Sequence, residues 1–286
     1  MCLSRVTRPA VIKGLPSSMP GVTGVPGATR ARIVLSRASG LGAEPVVRIH
    51  NPTNDNINMN QVLSGVDVEI EPDNREAIGV AARGAQGVSV QDVTIYAGDA
   101  AVGLQGGAGS GGSHIGVTVI GGVVGIDVSS SQPAPTLTAI TLLNQLKTAL
   151  LYNAPGRQTL SVTGLNITTL PNASGPAISA GAPISIYDGV VYRPGSQFDA
   201  TAIQASSNVF VRDVFVRGFN KVVAAPASVS MSMSGPLARD PVIPATTAAG
   251  WTRLAWYASG VGSGPDASAT AKKPPWHPPK PFSSSV

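Results

Sequence analysis

From Leu63 to Val128 apolar and polar positions alternate in short runs, and the runs come in pairs. LSGVDVEI with AIGVAA (63 to 82), QGVSVQDVTIYAG with VGLQGG (86 to 107) and SHIGVTVIGGVVGIDVSS (113 to 130) each hold an alternating β-branched run, a corner and a second apolar run with an Ile-Gly or Val-Gly pair. In the first, Val66, Val68 and Ile70 alternate with Asp67 and Glu69, which puts the two sets on opposite faces of a strand. Aligning the Gly of the second run gives Gly79, Gly103 and Gly125, steps of 24 and 22 residues. A period in the twenties with strand-like content alone marks a solenoid.

The same grammar continues, more faintly, through residues 135–153, 159–181, 184–206 and 208–223. Taking Val68, Ile95, Val119, Leu142, Ile167, Val191 and Val216 as equivalent inward positions gives steps of 23 to 27 residues, and so about seven coils. One such turn cannot bury its apolar face alone and relies on neighbours about 4.8 Å above and below. Leucine-rich repeats share the period but need Leu at fixed offsets and a helix-forming half, and here Gly, Ser, Thr, Val and Pro fill that half. The pattern predicts an all-β chain folded as a single-stranded parallel β-helix over residues 63–225. Residues 1–62 read as a cap with lead-in strands at 31–35 and 45–51, and 226–260 as C-terminal strands. The Pro-, Ser- and Gly-rich 261–286 reads as a disordered tail. The abrupt start raises the expectation that the chain begins inside a larger protein.

Composition narrows the partners. The formal charge is +5, yet residues 1–50 carry +6, residues 51–225 carry −4 and residues 226–286 carry +3. Mildly acidic coils argue against a nucleic-acid groove, which needs a basic stripe. Cys2 is the only cysteine, so no intrachain disulfide or Cys-based metal site exists, and no cofactor is implied. The N-terminus lacks the apolar core of a signal peptide, and no stretch approaches 18 apolar residues, so a membrane span is not expected.

Several local motifs read two ways. Asn166-Ile-Thr168 and Asn172-Ala-Ser174 match a glycosylation sequon, a match that arises by chance in a Thr- and Ser-rich chain. The Asn-rich run 51–60 suits a ligand-contacting loop or a turn bonding its own backbone. AGSGGS (108 to 113) lacks the Lys-Ser or Lys-Thr and the helix of a phosphate cradle. His114, one of three histidines with His50 and His277, is either a catalytic group or a coil-corner residue.

At AIGV, GAQGVSVQDVTIYAG and GSGGSHIGVTVIGGVVGIDV the sequence resembles the pectate-lyase-like β-helix superfamily. More narrowly it is similar to the β-helix domains of glycoside hydrolase family 55, the exo-β-1,3-glucanases. The match covers residues 60–130 well and 130–225 by coil grammar only. The resemblance implies a right-handed helix, three sheets per coil and polysaccharide bound in a groove along one sheet, outside the cell or on its surface. Family 55 enzymes are inverting hydrolases built from two such helices, and this chain is long enough for one. The Asn-Thr-Asp, Asp-Asp, Gly-His-Gly and Arg-Ile-Lys motifs of polygalacturonases are absent, as is the Ca²⁺ cluster of pectate lyases.

An inverting glycosidase needs two carboxyl groups about 6.5 to 9.5 Å apart. Counting two residues past the aligned Gly gives Ala81, Gln105 and Asp127, and by a looser alignment Tyr152, an expected outward stripe of amide, carboxylate and phenol. Glu76 and Asp99 fall at the start of the same sheet, one coil apart. The catalytic pair expected on this basis is Asp127 with Asp99, and Gln105, Tyr152 and Glu76 would contact sugar. Asp188 and Asp199, in a loop with Tyr187, Tyr192 and Arg193, offer carboxylates beside stacking rings, so Asp188, Tyr192 and Asp199 are further sugar-binding candidates. Two functions follow: a glycoside hydrolase or, less in keeping with the motifs, a polysaccharide lyase; or a non-catalytic glycan-binding or structural β-helix of the tailspike or adhesin kind. Carboxylates facing a common groove would favour the first, and a smooth Thr, Ser and Val exterior the second.

Overall fold

The structure, a computed structural model, describes residues 11–13, 30–50, 53, 59–131, 135–154, 158–195, 200–225, 242–244, 251–258 and 262–263. The Asn-rich run apart from Thr53, Met59 and Asn60, Asp199, the ASVSMSMSG segment, His277 and most of the tail lie outside them. No helix occurs among the described residues, and parallel strands stack into a β-solenoid of about six turns. The seven inward positions from Val68 to Val216 are joined by six such steps. One sheet has 14 strands and the other nine. Each early coil visits the long sheet twice and the short sheet once, as in Ser89–Gln91, Thr94–Gly98 and Val102–Gly107. From Thr136–Leu143 onward the first two strands fuse into one.

The predicted inward column is the observed one. Val68, Ile95, Val119, Leu142, Ile167, Val191 and Val216 pair in that order, all of them buried. Ladder pairing puts each aliphatic side chain directly on the next, so the column is a continuous apolar spine. The aligned glycines have an equally direct cause. A Cβ on Gly103 would lie 2.3 Å from Cγ1 of Val119 and 2.8 Å from the carbonyl of Gly125, and one on Gly79 would lie 2.7 Å from Cγ2 of Ile95. They mark where the chain enters the short sheet against the spine of the long one.

A second column fixes the bend within the long sheet. Gly65, Asp92, Gly116, Ala139, Gly164, Asp188 and Asp213 all adopt left-handed φ, between 52° and 68°. Gly takes this conformation freely, and Asp is among the few side chains that visit it. Only Ala139 fills the corner against its intrinsic preference.

Both ends extend beyond residues 63–225. Val11–Lys13, Arg32–Leu35 and Pro45–Arg48 pair in parallel with Val62–Ser64, Asp67–Ile70 and Ile78–Ala81, so the segment expected as a cap supplies a further coil. At the other end Thr252–Ala258 and Val242–Pro244 pair antiparallel with Val209–Arg217 and Lys221–Ala224. Reversing the strand direction ends the parallel stack and covers edges that would otherwise template association.

His114 is neither a surface catalyst nor a corner residue. It occupies the interior column Leu63, Val90, His114, Leu137, Val162, fully buried. Its Nδ1 accepts the Val90 N–H at 3.2 Å and its Nε2 lies 3.1 Å from the Gly106 carbonyl, which assigns a neutral ring protonated on Nε2. Burial holds its pKa down at about 4.

Candidate functional site

The outward column of the short sheet runs Arg48, Ala81, Gln105, Asp127, Leu151, Ser179, Gln204 and Ala224. Gln105 and Asp127 are direct neighbours, both partly exposed. The next member is Leu151, which corrects the placement of Tyr152. Ala149, not Leu150, takes the position held by Gly125 in the coil before, and a one-residue slip sends a side chain to the other face. Tyr152 is therefore buried, with its hydroxyl donating to the Gln158 carbonyl at 2.6 Å. A residue inside the core cannot contact sugar.

The two expected catalytic carboxylates have partners of their own. Asp127 accepts the Ser129 N–H on Oδ1 at 2.9 Å. Asp99 faces Arg75 at 3.3 Å, and its other oxygen is buried without a hydrogen-bond partner among the described residues. Arg75, rather than Glu76, is the residue one coil before Asp99, because Ala101 N–H bonds the Ala77 carbonyl. Glu76 is exposed. Along the short sheet the two are offset: Asp127 pairs with Gln105, whereas Asp99 precedes the strand Val102–Gly107.

Asp188 is exposed at the left-handed corner, where its short side chain suits the backbone. Arg193 turns inward, donating from Nε and Nη2 to the Pro171 carbonyl at 3.0 and 2.7 Å, and burial lowers its pKa. It borders a cavity of about 320 Å³ lined also by Ser174, Thr201 and Gln204. Tyr192 points outward from the long sheet. Its ring is 5.9 Å from that of Trp251, and the Arg217 guanidinium lies 5.8 and 5.9 Å from the two ring centres. At the other edge of the same strands Tyr187 and Phe210 rings are 5.4 Å apart, with Tyr187 exposed.

Arg217, Phe210 and Trp251 were not among the sequence candidates. The doublet VFVRDVFVR contains the signal for the first two, since Val209, Val211, Val214 and Val216 are buried and Phe210, Arg212, Phe215 and Arg217 alternate outward. Nothing local reveals Trp251, which arrives with the antiparallel strand.

The described long-sheet strands from Thr94 to Thr168 carry no Asp, Glu, Lys or Arg, and charge returns beside Tyr187 at Asp188 and Arg212. Thr94, Thr118, Thr141 and Asn166 form one column, and Thr138 and Thr163 continue another up to Tyr187. Most acids of the early coils face arginines instead of a groove: Asp67 and Asp92 with Arg30, Glu69 with Arg32, and Asp73 with Arg37. Among the described residues no cluster of three or more His, Cys, Asp or Glu is placed to hold a metal ion. No family model matches the chain, and neither does any curated protein.

Proposed function

We propose that the chain is a non-catalytic β-helix that binds polysaccharide along the outer face of its long sheet, outside the cell or on its surface. One observation carries this reading: paired aromatic rings, Tyr187 with Phe210 and Tyr192 with Trp251, stand at one end of an uncharged Thr and Asn face. Sugar rings present apolar C–H faces to aromatic rings and hydroxyls to Thr and Asn, so such a face suits a glycan lying across the strands. A bound chain needs no acid or base from the protein, which fits an Asp99 turned to Arg75 and an Asp127 turned to its own backbone.

The hydrolase reading keeps one specific support, the outward pairing of Gln105 with Asp127 in the coils that resemble family 55. A single screen separates the two. The purified chain is tested against laminarin, pectin, polygalacturonate and alginate for both binding and reducing-sugar release, together with Tyr187→Ala, Tyr192→Ala and Asp127→Asn. Binding weakened by the tyrosine substitutions, with no sugar released, is the expected result. Release abolished by Asp127→Asn would overturn the non-catalytic reading.

A further inference from the structure

We propose that the outer face of the last coils is a docking surface for the chain's own proline-rich C-terminal segment, Pro274 to Phe282, which lies across the two aromatic pairs, Tyr187 with Phe210 and Tyr192 with Trp251. The inference needs the rings alone and is separate from the glycan reading.

Sheet and segment match in chemistry and in length. Tyr187 is exposed with its ring 5.4 Å from that of Phe210, the Tyr192 and Trp251 rings are 5.9 Å apart, and Phe215 stands in the outward register between the two pairs. From Tyr187 to Tyr192 the strand advances five residues, roughly 16 Å. Residues 264–286 lie outside the described residues, and within them 274–282 reads PPWHPPKPF, five prolines and two aromatic residues in nine positions. Such a run favours polyproline II, which rises about 3.1 Å per residue, so that Pro274 and Pro279 stand about 15 Å apart, close to the spacing of the ring pairs. A proline-rich segment suits an aromatic face because its conformation is set before it binds and little entropy is lost on docking.

The path of the chain brings the segment to this place. Thr252–Ala258 lies beside Val209–Arg217, and Gly262–Ser263 lies beside Thr252–Ala258, with Ser263 level with Tyr257 and Tyr257 level with Val211. The chain therefore leaves its last described strand two strand widths from Val211, roughly 10 Å. Both pairings are antiparallel, so it leaves in the direction of Val209–Arg217, toward Trp251. Residues 264–273 reach at most about 35 Å, ample to turn the prolines onto the face. Charge does not drive the contact, since Lys272, Lys273 and Lys280 would meet Arg212 and Arg217 there against the exposed Asp188. Proline on aromatic ring carries it, and salt should not release it. A docked segment would cover Tyr187 and Tyr192 and compete with any other ligand of those rings.

The test is hydroxyl-radical footprinting of the full chain, read by mass spectrometry at Tyr187 and Phe210. Tyr96, four coils earlier on the same sheet, is the internal reference. The parent is compared with a variant carrying Trp276→Ala, Pro274→Ser, Pro275→Ser, Pro278→Ser and Pro279→Ser. Labelling at Tyr187 and Phe210 should rise about threefold in the variant, as for a tethered segment docked roughly two-thirds of the time, and labelling at Tyr96 should not move. A synthetic peptide of residues 270–284 added to the variant should restore protection, half-saturating at about 1 mM or below. Adding Tyr187→Ser and Tyr192→Ser should weaken that peptide about tenfold, read at Phe210, for the loss of two ring contacts. On the parent itself, protection should persist from about 0.1 to about 1 M salt and on dilution. Unchanged labelling of Tyr187 in the variant, or protection released by salt, would overturn the proposal. Protection that fades on dilution would assign the segment to a second copy of the chain, and a peptide that protects while the variant labels like the parent would assign the surface to another protein's polyproline; either result ends docking within one chain. The salt and dilution series use the unaltered protein, so a poorly folded variant does not decide the outcome. No arm contains a glycan, and failure here leaves the glycan reading where it stood.

Discussion

In the coils between Val62 and Ser131 the long-sheet strands are separate pieces of two to five residues, divided by glycine or aspartate corners. Between Ile184 and Arg217 they are nine residues long, rich in Val, Phe and Tyr. The interior register is the same in both. The outer surfaces differ: the early coils carry carboxylates latched to arginines from the preceding coil, and the late ones carry rings with arginines lying on them. A stack of this kind is constrained by its inward column, so evolution is free to redecorate the outside coil by coil. The interior is also less forgiving in the early coils, where glycines admit the spine and His114 interrupts the aliphatic column.

The largest expected difference is in acid. His114 has a folded pKa of about 4 against an ordinary value near 6.5, so the unfolded chain binds its proton first as pH falls. Its contribution is fully present above about pH 6.5 and is lost down to about pH 4, amounting to about 3 kcal/mol. Chemical denaturation at pH 7 and pH 4.5 should show this fall, and His114→Leu should flatten it while lowering stability at pH 7, because Val90 N–H and the Gly106 carbonyl lose their partner. A parent with the same stability at both pH values would refute the assignment.

Next comes one substitution made in both regions. Gly103→Ala should cost about 2 kcal/mol by overpacking, since its Cβ meets both a side chain and a backbone carbonyl. Gly189→Ala, where the nearest atom is the Leu165 carbonyl at 3.1 Å, should stay within about 1 kcal/mol of the parent. Similar thermal unfolding midpoints for the two would erase the contrast. Ala139→Gly should stabilise by about 0.5 kcal/mol, because it relieves a left-handed Ala at a corner that Gly or Asp fills in the other coils. The smallest effect is expected for Arg75→Ala, under about 0.5 kcal/mol, as an exposed ion pair with Asp99. A larger loss there would mean that the early coils depend on their surface latches.

Much of this was legible beforehand, and the misses have physical causes. The inward column and the adjacency of Gln105 and Asp127 followed from alternation and glycine spacing, which hold while successive coils keep similar loops. The prediction slipped at Tyr152 because Ala149 stands where the earlier coils have the aligned glycine, and without that landmark one residue of error exchanges inside for outside. His114 was unreadable because a polar residue in a strand pattern signals the outward face, and only the carbonyl and N–H brought to it by neighbouring coils make an inward place tolerable.

What the sequence determined by itself is the period, the apolar spine and the corners, since each depends on the side chain and the backbone of one coil. The pairing of Arg217 with Trp251, the latching of Asp67 to Arg30 and the extra N-terminal coil were decided by tertiary structure. These contacts join segments tens of residues apart, and a repeat whose coils see only their neighbours leaves no local trace of which distant strand will close its ends.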